Sequence, residues 1–153
     1  MKKITQKKDR KLKPDTNFTP LESDDETEIY QNGIFQFNIT KMIEFIKNNP
    51  EAFIPEKIEI DDYVNSSVDE DYLDSVKLTA PVILAEIAPE KFNLIDGNHR
   101  MEKAKRSGIM HLMAYRLSPP QHIKFLTSQK AYTCYIDYWN DKLKMLAKYK
   151  KNA

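Results

Sequence analysis

The chain has 153 residues and a mass of 18.0 kDa, enough for one domain, and its formal charge of +1 marks it as neither strongly basic nor strongly acidic. A charged fraction of 31% beside a hydrophobic fraction of 41% is that of an ordinary globular protein, and no run approaches the roughly 20 apolar residues of a membrane span. Cys134 is alone, which excludes an internal disulfide framework and a cysteine-only metal cage; no membrane partner and a cytoplasmic location are the expectation.

The near-neutral total hides a segregation. Residues 1–13 carry Lys2, Lys3, Lys7, Lys8, Arg10, Lys11 and Lys13 against Asp9, and Glu22, Asp24, Asp25, Glu26 and Glu28 follow with no base among them. Neither stretch has an apolar period that could anchor it, so residues 1–28 are predicted to form a flexible charged arm. Its basic part is a candidate contact for nucleic acid through counterion release.

Order is expected from Ile29. Residues 33–39 alternate apolar and polar side chains as a half-buried strand does, and Thr40 is a candidate N-cap for a helix that Asn48-Asn49-Pro50 ends. Residues 57–60 alternate again. Ser67-Val68-Asp69-Glu70 fits a capping box, which predicts a short helix over 68–75. Residues 81–87 and 92–95 read as a hairpin around Pro89-Glu90. A helix over 98–107 closed by Gly108 and a strand over 110–117 complete a body spanning 29–118. The fold class expected is α/β of the α+β type, a small mixed sheet with packed helices.

Pro119-Pro120 opens a C-terminal helical extension over 119–153. Tyr135, Trp139, Leu143 and Leu146 recur at spacings of four, four and three, which lays them on one face and predicts a docked helix. Lys142, Lys144, Lys148, Lys150 and Lys151 gather near its end, where cations complement the helix dipole.

Chemistry concentrates in Leu94-Ile95-Asp96-Gly97-Asn98-His99-Arg100, where a strand passes through a glycine turn into a helix. Helix starts present unsatisfied N–H groups and partial positive charge, which attract phosphate. Gly97 allows close approach of the backbone, and Arg100 offers a planar fork for phosphate oxygens. His99 can donate to phosphate or move a proton near neutral pH, and Asp96 can hold a hydroxyl or a magnesium ion. Gly97, Asn98, His99 and Arg100 are therefore the candidate phosphate or nucleotide cradle, and Asp96 and His99 the candidate catalytic pair. No metal site made of protein ligands alone is expected, and ordinary turn and capping chemistry explains the same residues without any ligand.

The run Asp96-Gly97-Asn98-His99-Arg100, the strand before it and the helix closing at Lys105-Arg106-Ser107-Gly108 resemble the signature of the ParB/sulfiredoxin superfamily. The resemblance covers about residues 55–118. It implies a nucleotide cofactor (ATP, ADP or CTP), with magnesium as a companion, bound at Gly97, Asn98, His99 and Arg100. Sulfiredoxins carry a reactive cysteine where Asn98 stands, and the residues after Leu117 are too few for the extra domains of a chromosome-partition clamp. A third branch, which phosphorylates free serine, has a similar turn and needs a carboxylate base from elsewhere; Glu59, Asp61 and Asp62 are candidates within an acidic stretch. The functions implied are phosphoryl transfer or phosphodiester or nucleotide hydrolysis, with a non-catalytic nucleotide switch or interaction module as the alternative.

Overall fold

The computed structural model describes residues 9–24, 26–32 and 35–152. In chain order it contains β1 (Ile29–Asn32), β2 (Phe35–Asn38), α1 (Ile39–Asn48), β3 (Glu56–Glu59), α2 (Glu70–Leu73), β4 (Val82–Ala88), β5 (Lys91–Asp96), α3 (Asn98–Arg106), β6 (His111–Leu117), α4 (Pro119–His122) and α5 (Gln129–Asn152). The expected α+β class, with a mixed sheet and a C-terminal helix, is what the chain adopts.

Four strands form the main sheet in the order β3-β6-β4-β5, with β4 parallel to β6 and the other pairs antiparallel. β1 and β2 make a separate antiparallel pair. Every residue of β4 is buried because both faces of the sheet are covered. Val82 and Leu84 point toward α3 and pack with Leu94, Met101, Ala104, Leu112 and Ala114. Ile83, Ala85 and Ile87 point the other way, into a larger core with Phe37, Met42, Phe125, Tyr135 and Trp139 from β2, α1, the turn after α4 and α5. The two-residue period of a strand thus feeds two cores from one segment.

The helical extension is docked as its spacing predicts. Tyr135 and Trp139 are fully buried and Leu143 is partly so, whereas Leu146 is exposed on the last turns of α5. His122 is also fully buried; its Nε2–H donates to the carbonyl of Glu86 at 2.8 Å, and Tyr135 Oη donates to the same carbonyl at 2.6 Å. A carbonyl only accepts, so His122 carries its proton on Nε2 and its Nδ1 is left without a partner among the described residues. Burial lowers the His122 pKa to about 4, and the imidazole is neutral.

Three local expectations are corrected. Asn38, not Thr40, caps α1 by accepting from Lys41 N–H, and the Thr40 hydroxyl instead accepts from Glu28 N–H at 2.8 Å. The short helix after Ser67 begins at Glu70 under Asp69, whose carboxylate accepts from Asp71 N–H, so the capping box does not form.

The third correction concerns the arm. Residues 1–8 lie outside the described residues, but Arg10 to Phe18 are laid against the body instead of ranging free in solvent. Arg10 bonds Glu86, Leu12 bonds Asn140, and Phe18 stacks on Tyr132. Arg10 is therefore paired with Glu86. No helix among the described residues is long and apolar enough to cross a membrane.

Candidate functional site

The strand-to-helix turn at the end of β5 lines a cleft of about 800 Å³. Asp96, Gly97, Asn98, His99 and Arg100 form one wall, and Glu28, Tyr30, Ile43, Tyr72 and Lys77 come from around it. All five sequence-selected residues are brought together.

Gly97 makes the turn possible. Its φ is +108°, and a Cβ there would stand 2.5 Å from Cγ1 of the fully buried Val82. Both the conformation and the space exclude a side chain. No side chain caps the helix that follows, so its first N–H groups are left for another acceptor.

The three polar side chains after Gly97 each bond the protein itself. Asn98 Oδ1 accepts from Ser66 N–H at 3.1 Å, and His99 Nε2 accepts from Asp69 N–H at 3.1 Å. An accepting Nε2 leaves Nδ1 as the ring's donor in this geometry. Its ring meets Tyr72 edge-on at 5.0 Å. Arg100 donates to Asp96 Oδ2 at 2.9 Å and to the carbonyls of Ala80 and Pro81 at 3.3 Å. These bonds tie the 66–69 and 80–81 segments to the start of α3.

A carboxylate that motif reasoning did not single out joins them. Glu28 is held by its main chain against the start of α1, where its carbonyl accepts from Ile39 N–H at 2.9 Å. Its side chain stands beside that of Asp96 on the cleft wall. Desolvation first, then the neighbouring Asp96 carboxyl, raise the Glu28 pKa, and Arg100 offsets part of that rise. Glu59 and Asp61 do not line the cleft. Asp62 lines a smaller one of about 330 Å³ beside Tyr63 and Phe92. In the sequence Glu28 is the last member of an acidic block, and nothing there separates it from Glu22 or Glu26.

No His, Cys, Asp and Glu cluster of three or more able to hold a metal occurs among the described residues. Glu28 and Asp96 supply two carboxylates, which suits magnesium only if ligand phosphates complete its coordination.

Set beside known proteins, the chain matches no family model, no curated protein and no solved structure.

Proposed function

We propose that the cleft at the start of α3 binds a nucleotide or another phosphate-bearing ligand and transfers or hydrolyses its phosphoryl group. The observation that carries this reading is the composition of the cleft: an uncapped helix start and a glycine turn on one wall, with Glu28 and Asp96 side by side next to them. The N–H groups of α3 and the ammonium of Lys77 would receive phosphate oxygens. Arg100 holds Asp96 in place and retains donors beyond its three bonds. Glu28 would take the proton of an acceptor hydroxyl or water, a role that Glu59 and Asp61, outside the cleft, and Asp62, in the smaller one, are not placed to fill. The resemblance of Asp96-Gly97-Asn98-His99-Arg100 to the ParB/sulfiredoxin superfamily supports ATP, ADP or CTP as the ligand. A magnesium ion would arrive with the phosphates.

The test is a titration of ATP, ADP, CTP and GTP with and without magnesium, followed by assays of hydrolysis and of transfer to serine. Arg100→Ala should weaken binding by about 1.5–3 kcal/mol, the range for hydrogen bonds to charged groups, or roughly ten- to hundredfold. Glu28→Gln should abolish turnover while leaving binding within a few-fold. If no nucleotide binds at millimolar concentration, the reading fails.

A second reading is favoured by one specific observation. Asn98, His99 and Arg100 are all hydrogen-bonded to the protein, as expected of a turn that organises neighbouring loops in a non-catalytic interaction module. A chain that binds nucleotide without consuming it, and whose Glu28→Gln variant behaves identically, would be such a module.

A further inference from the structure

The groove between β4 and α5 is built around a charge. Glu86 is 3% exposed, and its carboxylate accepts from both terminal guanidinium nitrogens of Arg10, at 3.0 and 2.7 Å, and from Glu90 N–H at 2.8 Å. Trp139 lies under the same guanidinium, 4.8 Å from its carbon, and its indole N–H donates to the Arg10 carbonyl at 2.9 Å. Asn140 reads the backbone of Leu12 in both directions: Oδ1 accepts from its N–H and Nδ2 donates to its carbonyl, each at 2.9 Å. Farther along, Tyr132 Oη accepts from Asp15 N–H at 2.8 Å, and its ring stacks on Phe18 at 3.8 Å.

Trp139 and Asn140 follow Tyr132 by seven and eight positions, which keeps all three within a face about 100° wide, so one side of α5 makes these contacts. They are the contacts by which an extended peptide is recognised: main-chain hydrogen bonds at intervals, one charged anchor and one aromatic anchor. Residues 10–18 pair with no strand. Between Thr19 and Asp24, hydrogen bonds of the described residues reach no farther than Asn17 and Thr27. The segment is thus attached to the body through side chains of the groove and a locally bonded connector. A cover serving packing alone would place apolar groups over β4. A buried carboxylate gains little over an apolar pair, but it demands a cation, and the 35% exposure of the Arg10 side chain shows that the socket opens to solvent.

We propose that the β4–α5 groove is a recognition site for extended arginine-bearing peptide segments, occupied in cis by residues 10–18 and able to exchange that segment for one supplied in trans. The chemistry it selects is an arginine, an apolar residue two positions on and an aromatic residue eight positions on.

The probe is a labelled synthetic peptide of residues 9–18, titrated by fluorescence anisotropy into the full chain, with circular dichroism confirming the fold of each variant. In the wild type the cis segment competes, so binding is weak. Arg10→Ala in the chain weakens that competitor and should tighten peptide binding at least tenfold. Adding Glu86→Gln, or replacing the peptide's own arginine by alanine, should reverse the gain at least tenfold. Should the Arg10→Ala chain fail to fold, Phe18→Ala loosens the far end of the segment and gives the same readout. The proposal is overturned if millimolar peptide binds neither the wild type nor any folded variant, or if binding is indifferent to the peptide's arginine.

Discussion

Glu86 on β4 and Asp96 at the end of the neighbouring β5 are both carboxylates met by an arginine, yet their surroundings diverge. Glu86 is sealed by Arg10, Glu90 N–H and Trp139, and its own carbonyl is covered by His122 and Tyr135. Asp96 shares Arg100 with two carbonyls and faces a second carboxyl, Glu28, across an open cleft. At the first, every charge has an opposite partner. At the second, two acidic groups are held side by side, which costs stability and persists only because the surrounding fold imposes it. The contrast separates a region organised for cohesion from one organised for chemistry.

The sharpest way to break the comparison is to remove the partner of the cohesive region. A chain ending at residue 118 loses fully buried Tyr135 and Trp139 together with nearly buried Ile136 and Tyr132. Each such side chain contributes roughly 1.5–3 kcal/mol, so their sum rivals the total stability of a small domain. The truncated chain should show no cooperative thermal transition by circular dichroism. An unchanged melting temperature would make α5 an accessory.

Acid attacks the same region. His122 is neutral in the fold with its pKa near 4, whereas in the unfolded chain it titrates near the ordinary 6.5. Between those values the unfolded state binds more protons, so stability falls as pH drops from about 6.5 to about 4. The loss amounts to roughly 3 kcal/mol. Urea midpoints measured at pH 7, 5.5 and 4.5 should decline accordingly, and His122→Gln should remove that part of the slope.

Gly97→Ala probes the cleft with a smaller effect. The positive φ and the encounter with Val82 should cost about 1–3 kcal/mol, read as a lowered denaturation midpoint. A neutral result would mean that the turn relaxes freely and that the cleft wall is not rigid.

Where the pattern in the chain was periodic or glycine-marked, it was legible. The β4–β5 hairpin, α3 between Gly97 and Gly108, and the Tyr135–Trp139 stripe all follow from spacing. Leu146 departs from its stripe because α5 runs past the surface that buries its earlier turns. The two capping errors have one origin: Asn38 and Asp69 compete with Thr40 and Ser67 over a few residues, and the outcome depends on what each flank packs against. The docking of residues 10–18 was invisible for a different reason. Single side chains of α5 grasp a backbone there, and such contacts leave no period in the grasped segment. Glu28 was hidden by its acidic neighbours; only the fold brings it to Asp96, 68 positions away in the numbering. The cleft's wall was therefore readable and its second carboxyl was not.

The reach from Leu12 to Asn140, 128 positions along the chain, has a consequence for synthesis. Residues 10–18 leave the ribosome long before the helical turns that hold them. The β4–β5 hairpin and α3 can assemble from near neighbours while translation continues. Until Trp139 and Asn140 emerge, the leading segment has no seat, and Glu86 waits on the nascent sheet as a carboxylate without its indole neighbour. Closure over that strand thus waits for α5 to emerge. A nascent chain stalled before residue 139 should be attacked by protease within residues 9–18, where the finished protein resists.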